Sequence, residues 1–171
     1  MIHSWANLTV QERRDTIMDL QSISLQEEAN GNSVDIETRE YNCNGVYARE
    51  MRAPAGAFIV GEIHKEDHLT ILQSGEITVF TDRGKERLIG PITFEDKAGV
   101  KRMGLTHTPV VWTSLHATRE TDIKAIRKEC IVDSYDELEK LNVVGSNSSN
   151  RDHSSRQCIS SERTTQGSEA G

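Results

Sequence analysis

Gly56-Ala57-Phe58-Ile59-Val60-Gly61-Glu62-Ile63-His64-Lys65-Glu66-Asp67-His68-Leu69-Thr70-Ile71-Leu72-Gln73-Ser74-Gly75-Glu76 holds two β-prone runs, one ending at His64 and one beginning at His68. The polar triplet Lys65-Glu66-Asp67 between them reads as a hairpin loop. Closing that hairpin sets the two imidazoles face to face on neighbouring strands, at a separation that a metal ion or an anionic ligand bridges. On either side the pattern continues: β-prone runs at 46–51, 77–81, 85–89, 92–94, 100–105 and 110–118. Turn signals separate them at Pro54-Ala55-Gly56, Ser74-Gly75, Asp82-Arg83-Gly84, Gly90-Pro91, Lys97-Ala98-Gly99 and Thr108-Pro109. Short strands broken by turns about every 8 to 12 residues define an antiparallel barrel or sandwich, and no βαβ alternation is visible.

Outside this body the periodicity is helical. Thr9-Val10-Gln11-Glu12 has the form of a capping box, and the apolar spacing after it predicts a helix from about Val10 to Ile23 that packs one stripe as a lid or partner helix. The polar, acidic stretch 26–40, with Asn30-Gly31-Asn32, reads as a connector. After the last strand, Ile123, Ile126 and Cys130 recur at helical spacing and Ser134 with Glu137 repeats the capping logic, so two short C-terminal helices are expected. The organisation is therefore 1–40 N-terminal helix and acidic linker, 41–118 β-barrel, 119–142 C-terminal helices and 143–171 a disordered tail, which is too polar to offset its ordering entropy. His153 and Cys158 fall in that tail.

Composition narrows the function classes. The 171 residues are 35% hydrophobic and carry a formal charge of -7, which leaves no basic footprint for nucleic acid. The three cysteines are widely spaced with no Cys-x-x-Cys pair, so free thiols and a reducing cytoplasm are expected. The chain shows neither a signal core nor an apolar run long enough for a membrane span. There is no Gly-x-Ser-x-Gly elbow and no phosphate loop.

The order of the pieces resembles the cupin superfamily, a double-stranded β-helix or jelly roll. In the first cupin motif a His-x-His pair is followed by Glu and then Gly; here Glu62 stands at the first His, His64 at the second, His68 at the Glu and Gly75 at the Gly. In the second motif, Pro-x-Gly-x-x-His, the segment Lys97-Ala98-Gly99-Val100-Lys101-Arg102 keeps the Gly and has Arg102 at the His. Over roughly 41–132 the chain is similar to cupin-like proteins often encoded by bacteriophages. The residues that carry this are Gly45-Val46-Tyr47-Ala48-Arg49-Glu50, Pro54-Ala55-Gly56, Gly61-x-Ile63-His64-Lys65, Gly99-Val100-Lys101-Arg102 and Val111-Trp112-Thr113-Ser114-Leu115-His116. The resemblance implies a cupin-like jelly roll with an N-terminal helix and short C-terminal helices, in a bacterial or phage-infected cytoplasm. A homodimer is compatible with it.

On a strand, residues two apart share a face, so Glu62 and His64 point one way, as do Trp112, Ser114 and His116. If both faces are interior, His64, His68 and His116 form a three-imidazole metal set with Glu62 as carboxylate and the turn residue Glu66 as a rival aimed at solvent; Zn, Fe, Ni or Mn suits such ligands. The plainer alternative is that the imidazoles are hydrogen-bonded core residues. Arg102 is the candidate to hold an anion, Arg49 to pair with Glu50 or another barrel carboxylate, and His107 to sit in a solvated turn. Tyr47 and Trp112 are either core or the walls of a pocket. The leading expectation is a barrel that binds a small anionic molecule through His64, His68, His116 and Arg102, with Trp112 and Tyr47 as walls. By association with phage proteins, this extends to sequestering a host signalling nucleotide. A metal-dependent isomerase, dioxygenase or hydrolase is the first alternative, and a structural or regulatory interaction protein the second.

Overall fold

The structure, a computed structural model, describes residues 4–146. The expected disordered tail and His153 and Cys158 lie outside the described residues, apart from the end of the last helix. Helix α1 runs Val10–Ala29, past the expected end at Ile23, because Leu25 to Ala29 are good helix formers and the stop comes only at Asn30-Gly31, where Gly31 takes φ 84°. Its capping box forms as read: Thr9 Oγ1 accepts from Glu12 N–H at 3.2 Å and Glu12 Oε2 accepts from Thr9 N–H at 2.7 Å.

The strands are β1 Glu37–Cys43, β2 Val46–Ala53, β3 Phe58–Val60, β4 Ile63–His64, β5 His68–Ser74, β6 Glu76–Thr81, β7 Gly84–Ile89, β8 Ile92–Asp96, β9 Met103–Thr106 and β10 Val110–Ala117. Helix α2 (Ile123–Cys130), the short β11 (Ile131–Val132) and helix α3 (Tyr135–Ser146) follow. One sheet has the order β1-β2-β10-β5-β8, the facing one β3-β9-β6-β7, and β4 pairs with β11. Every pairing is antiparallel, and the chain passes from one sheet to the other at β2–β3, β5–β6 and β7–β8, then again at β8–β9 and β9–β10. This is a two-sheet antiparallel jelly roll. Ala53, Leu72 and Val110 from the first sheet pack against Ile77, Val79 and Leu88 from the second, which is the main core. Among the described residues no helix is long and apolar enough to cross a membrane.

Two expectations are corrected. The connector 26–40 gives way at Glu37 to β1, which joins β2 through Asn44-Gly45 with both residues at positive φ (42° and 96°), a two-residue turn of the kind that matches strand twist. The hairpin across Lys65-Glu66-Asp67 does not form. Both edges of β5 are already taken, by β10 and β8, so β4 turns away and pairs with β11, placing His64 opposite Ile131. The triplet serves as a tie instead: Asp67 accepts from Ala98 N–H at 2.8 Å and Lys97 at 2.9 Å, and Lys65 N–H donates to the Cys130 carbonyl at 2.8 Å.

Helix α1 is anchored at the β6–β7 turn. Arg14 Nε meets the buried Asp82 carboxylate at 2.9 Å, Arg13 donates to the Asp82 carbonyl at 3.0 Å, and the Trp5 indole donates to the Thr81 carbonyl at 3.1 Å. Its fully buried residue is Ile17, and Met18 packs against the cluster of Ile63, Val132 and Tyr135 behind β4.

The β5–β6 corner depends on Gly75, at φ 91°, where a Cβ would lie 2.2 Å from the Pro109 carbonyl oxygen and 2.9 Å from the Val110 Cα. Gly31 has a similar φ of 84° and open space around it. Gly31→Ala is therefore expected to cost about 1–2 kcal/mol for the left-handed backbone alone, and Gly75→Ala clearly more. Urea denaturation of the two variants checks this, and equal losses would contradict the steric reading of the corner.

Candidate metal centre

Register builds the site. In the first sheet His116 on β10 lies opposite Tyr47 on β2, Leu115 opposite Leu69 on β5, and His68 opposite Asp96 on β8. One step beyond the Leu115–Leu69 pair, His116 meets His68. Directly opposed residues of antiparallel strands share a face, so Tyr47, His116, His68 and Asp96 form one row across four strands. His64, at the end of β4, closes over this row: its ring centroid is 4.1 Å from that of His68 and 4.8 Å from that of His116, and the last two are 4.4 Å apart. Their candidate ligand atoms all lie within 4.8 Å of one another. Two nitrogens on one tetrahedral zinc are roughly 3.3 Å apart, so small ring rotations bring this set to coordination distance.

The electrostatics favour neutral rings. His68 and His116 are buried and His64 is half-buried. Burial, with the neighbouring imidazoles adding to it, pushes His64 down to about 2. Burial and then His68 push His116 down to about 4, and burial lowers His68 as well. A carbonyl only accepts, so Nδ1 of His68 donates to the Glu66 carbonyl at 3.3 Å and Nε2 carries the lone pair. That Nε2 and Nδ1 of His64 are buried without a hydrogen-bond partner. Nε2 of His68 also stands 3.6 Å from Asp96 Oδ2. Two acceptors that close are compatible with a cation or proton between them.

A cavity of about 110 Å³ adjoins the cluster, with Tyr47, His64, Arg102, Trp112 and His116 among its lining residues. Five of the six expected ligand contacts line this cavity; His68 is not on its wall but stands against His64 and His116. Trp112 stands edge-on to Phe94 at 5.7 Å. Burial raises the Tyr47 phenol, whose hydroxyl donates to Glu40 at 2.5 Å.

The carboxylate assignment changes. Glu62 lines the cavity but lies outside the three-histidine group; its oxygens are held by Arg127 of α2 in close contact and by Arg49 at 3.7 Å. The carboxylate beside the rings is Asp96, buried, in close ion-pair contact with Arg102 and accepting from Thr70 Oγ1 at 3.1 Å. In sequence Asp96 is indistinguishable from its neighbour Glu95 ahead of the Lys97-Ala98-Gly99 turn; only its pairing with His68 singles it out. Arg102 therefore meets the cavity with its charge already compensated. Arg49 pairs with Glu62, whereas Glu50 is taken by Arg52 at 2.7 Å. Glu66 is exposed, as expected for a turn residue, and His107 is exposed with Nε2 2.7 Å from Thr78 Oγ1, away from the cavity. Cys43 is exposed, Cys130 is buried, and both are free.

No family model and no curated protein sequence matches the chain. Among solved structures, a cupin domain of Bordetella pertussis is 16% identical, with 50% of this chain and 96% of that one covered and a TM-score of 0.42. KdgF of Halomonas sp. is 16% identical over 50% of this chain and 82% of its own, with a TM-score of 0.42. The EutQ protein of Clostridium difficile is 9% identical over 54% of this chain and 75% of its own, with a TM-score of 0.44. The chemistry rests on the side chains described above.

The low folded-state values fix a sign for the pH dependence. In the unfolded chain the imidazoles titrate near 6.5, whereas folded His116 titrates near 4 and His64 near 2. Between those limits the unfolded chain binds more protons, so stability of the metal-free protein is full above pH 6.5 and falls as the pH drops below it. Urea midpoints at pH 7.5, 6 and 5 are expected to decline, with a shallower decline in His116→Gln. Midpoints with the same slope in both proteins would show that His116 is not buried neutral.

Proposed function

We propose that the chain is a cupin-like barrel that holds one divalent transition metal on His64, His68 and His116 and binds a small molecule beside it. The observation that carries this is the pair of buried, unpartnered ring nitrogens, His64 Nδ1 and His68 Nε2, in a group of three mutually close imidazoles. Leaving such groups unpaired costs about 1–3 kcal/mol each, and neutral imidazoles suit Zn, Fe, Ni or Mn alike. The Glu66 carbonyl, accepting from Nδ1–H, holds the orientation of His68, and Asp96, fixed by Thr70 and Arg102, stands beside the Nε2 that would face the ion. When bound, such an ion supplies a Lewis acid toward a donor atom of the ligand.

The walls favour binding of a compact molecule. The cavity of about 110 Å³ is partly open to solvent and suits a compact group beside the rings. Both carboxylates on its wall, Glu62 and Asp96, are engaged by guanidinium groups. That arrangement favours ligand capture over proton transfer by a free carboxylate.

Elemental analysis of untagged protein dialysed against zinc is expected to find about one ion per chain, and the His64→Ala/His68→Ala variant to find almost none. Zinc at a hundredfold its Kd should stabilise the wild type by about 2.7 kcal/mol, read as a rise in the urea midpoint. Wild-type protein that folds and takes up neither zinc, nickel nor manganese would sink this reading.

A further inference from the structure

The charges around the cavity point to its ligand class, an inference that rests on the metal reading above. The charged groups that line the cavity are Arg49 and Arg102 against Glu62 and Asp96, and the Arg127 guanidinium behind them meets Glu62 and Glu40. With neutral imidazoles these cancel. An ion held by three histidines would therefore bring two positive charges that the protein does not offset, which a ligand anion can.

The three guanidinium groups are not equally committed. Arg102 is in close contact with Asp96, and Arg127 in close contact with Glu62 with Glu40 at 4.0 Å. Arg49 has only Glu62, at 3.7 Å, an oxygen-bearing group already held by Arg127, and its Nε is buried with no hydrogen-bond partner. Arg49 lies on β2 two residues from Tyr47, on the same face, and is paired across to Ser114 on β10, which also lines the cavity. Two residues along a strand is about 7 Å, so Arg49 is one rung from the His116–His68 row. The remaining wall near it is apolar, with Met51, Ile59 and Trp112.

We infer that the cavity takes a small carboxylate with a short apolar body, and that Arg49, with the Ser114 hydroxyl beside it, is the side chain that receives the carboxylate. A guanidinium forks onto carboxylate oxygens in a way that a lysine ammonium cannot. Arg102, by contrast, is committed to the buried Asp96.

The test uses full-length protein loaded with Co(II), whose visible absorption reports changes at the ion, with butyrate, butyramide and inorganic phosphate as probes. Cobalt uptake is read first; a wild type that binds no cobalt removes the metal reading and this inference with it. In cobalt-loaded protein, butyrate is expected to shift the spectrum saturably, butyramide to require at least about tenfold more, and phosphate to compete weakly. Arg49→Met is expected to retain cobalt and weaken butyrate about tenfold or more, and Arg49→Lys to fall between. Equal binding of butyrate and butyramide to the wild type overturns the inference while leaving the metal reading intact, and needs no variant to fold. So does phosphate binding as tightly as butyrate, or unchanged butyrate binding in either folded Arg49 variant.

Discussion

The register of β10 against β2 and β5 is the constraint on which the site depends. Eight consecutive pairs, from Val110–Ala53 to Ala117–Val46, lock β10 to β2, and the Trp112–Leu72 to Leu115–Leu69 pairs lock it to β5. Because side chains alternate with a period of two, a slip of one residue in either ladder would turn His116 from the interior to the outer face. The same ladders place Trp112, Ser114 and His116 along one wall, and the β5–β8 ladder adds Asp96 to the end of the row. Gly75 keeps the β5–β6 corner tight enough for the second sheet to fold over this one.

Such a row is costly to bury, and the way that cost is offset organises the surroundings. The rings are kept neutral by burial, so no cationic repulsion arises among three imidazoles within stacking distance. Beside them buried Asp96 is held by Arg102, where an unpaired buried carboxylate would cost several kcal/mol, and half-buried Glu62 is held by Arg127. These pairs recruit the C-terminal segments. Arg127 comes from α2, whose Ile126 and Cys130 pack on Tyr47, and β11 holds β4 so that His64 ends over the row. Helix α1 works at one remove: Met18 backs Ile63, the residue before His64, while Arg13, Arg14 and Trp5 pin the helix to the β6–β7 turn. The helices outside the barrel thus support β4, whose ladder is two residue pairs long.

Much of this was open to reading from residue order. The strand and turn alternation, the capping box at Thr9, the cap at Ser134 and the shared face of Trp112, Ser114 and His116 all follow from local periodicity. Three features were not. The β1–β2 hairpin carries the Asn44-Gly45 signal but is hidden by a strand, Glu37–Cys43, whose exposed face is as polar as a linker. The His64–His68 proximity arises without the hairpin that local spacing suggests. Asp96 and Glu62 exchange places as the carboxylate near the rings because Arg127, far along the chain, captures Glu62.

The sequence by itself determined most of the strands from β2 onward, which faces of them are apolar and which residue types are available for chemistry, because side-chain alternation and turn preference act over a few neighbouring residues. Only the tertiary structure decided which carboxylate stands beside His68, which arginine captures Glu62 and which strand β4 joins. Those outcomes depend on competition among all strand edges and all charges for partners, and burial settles that competition for the whole fold at once, beyond the reach of any local stretch.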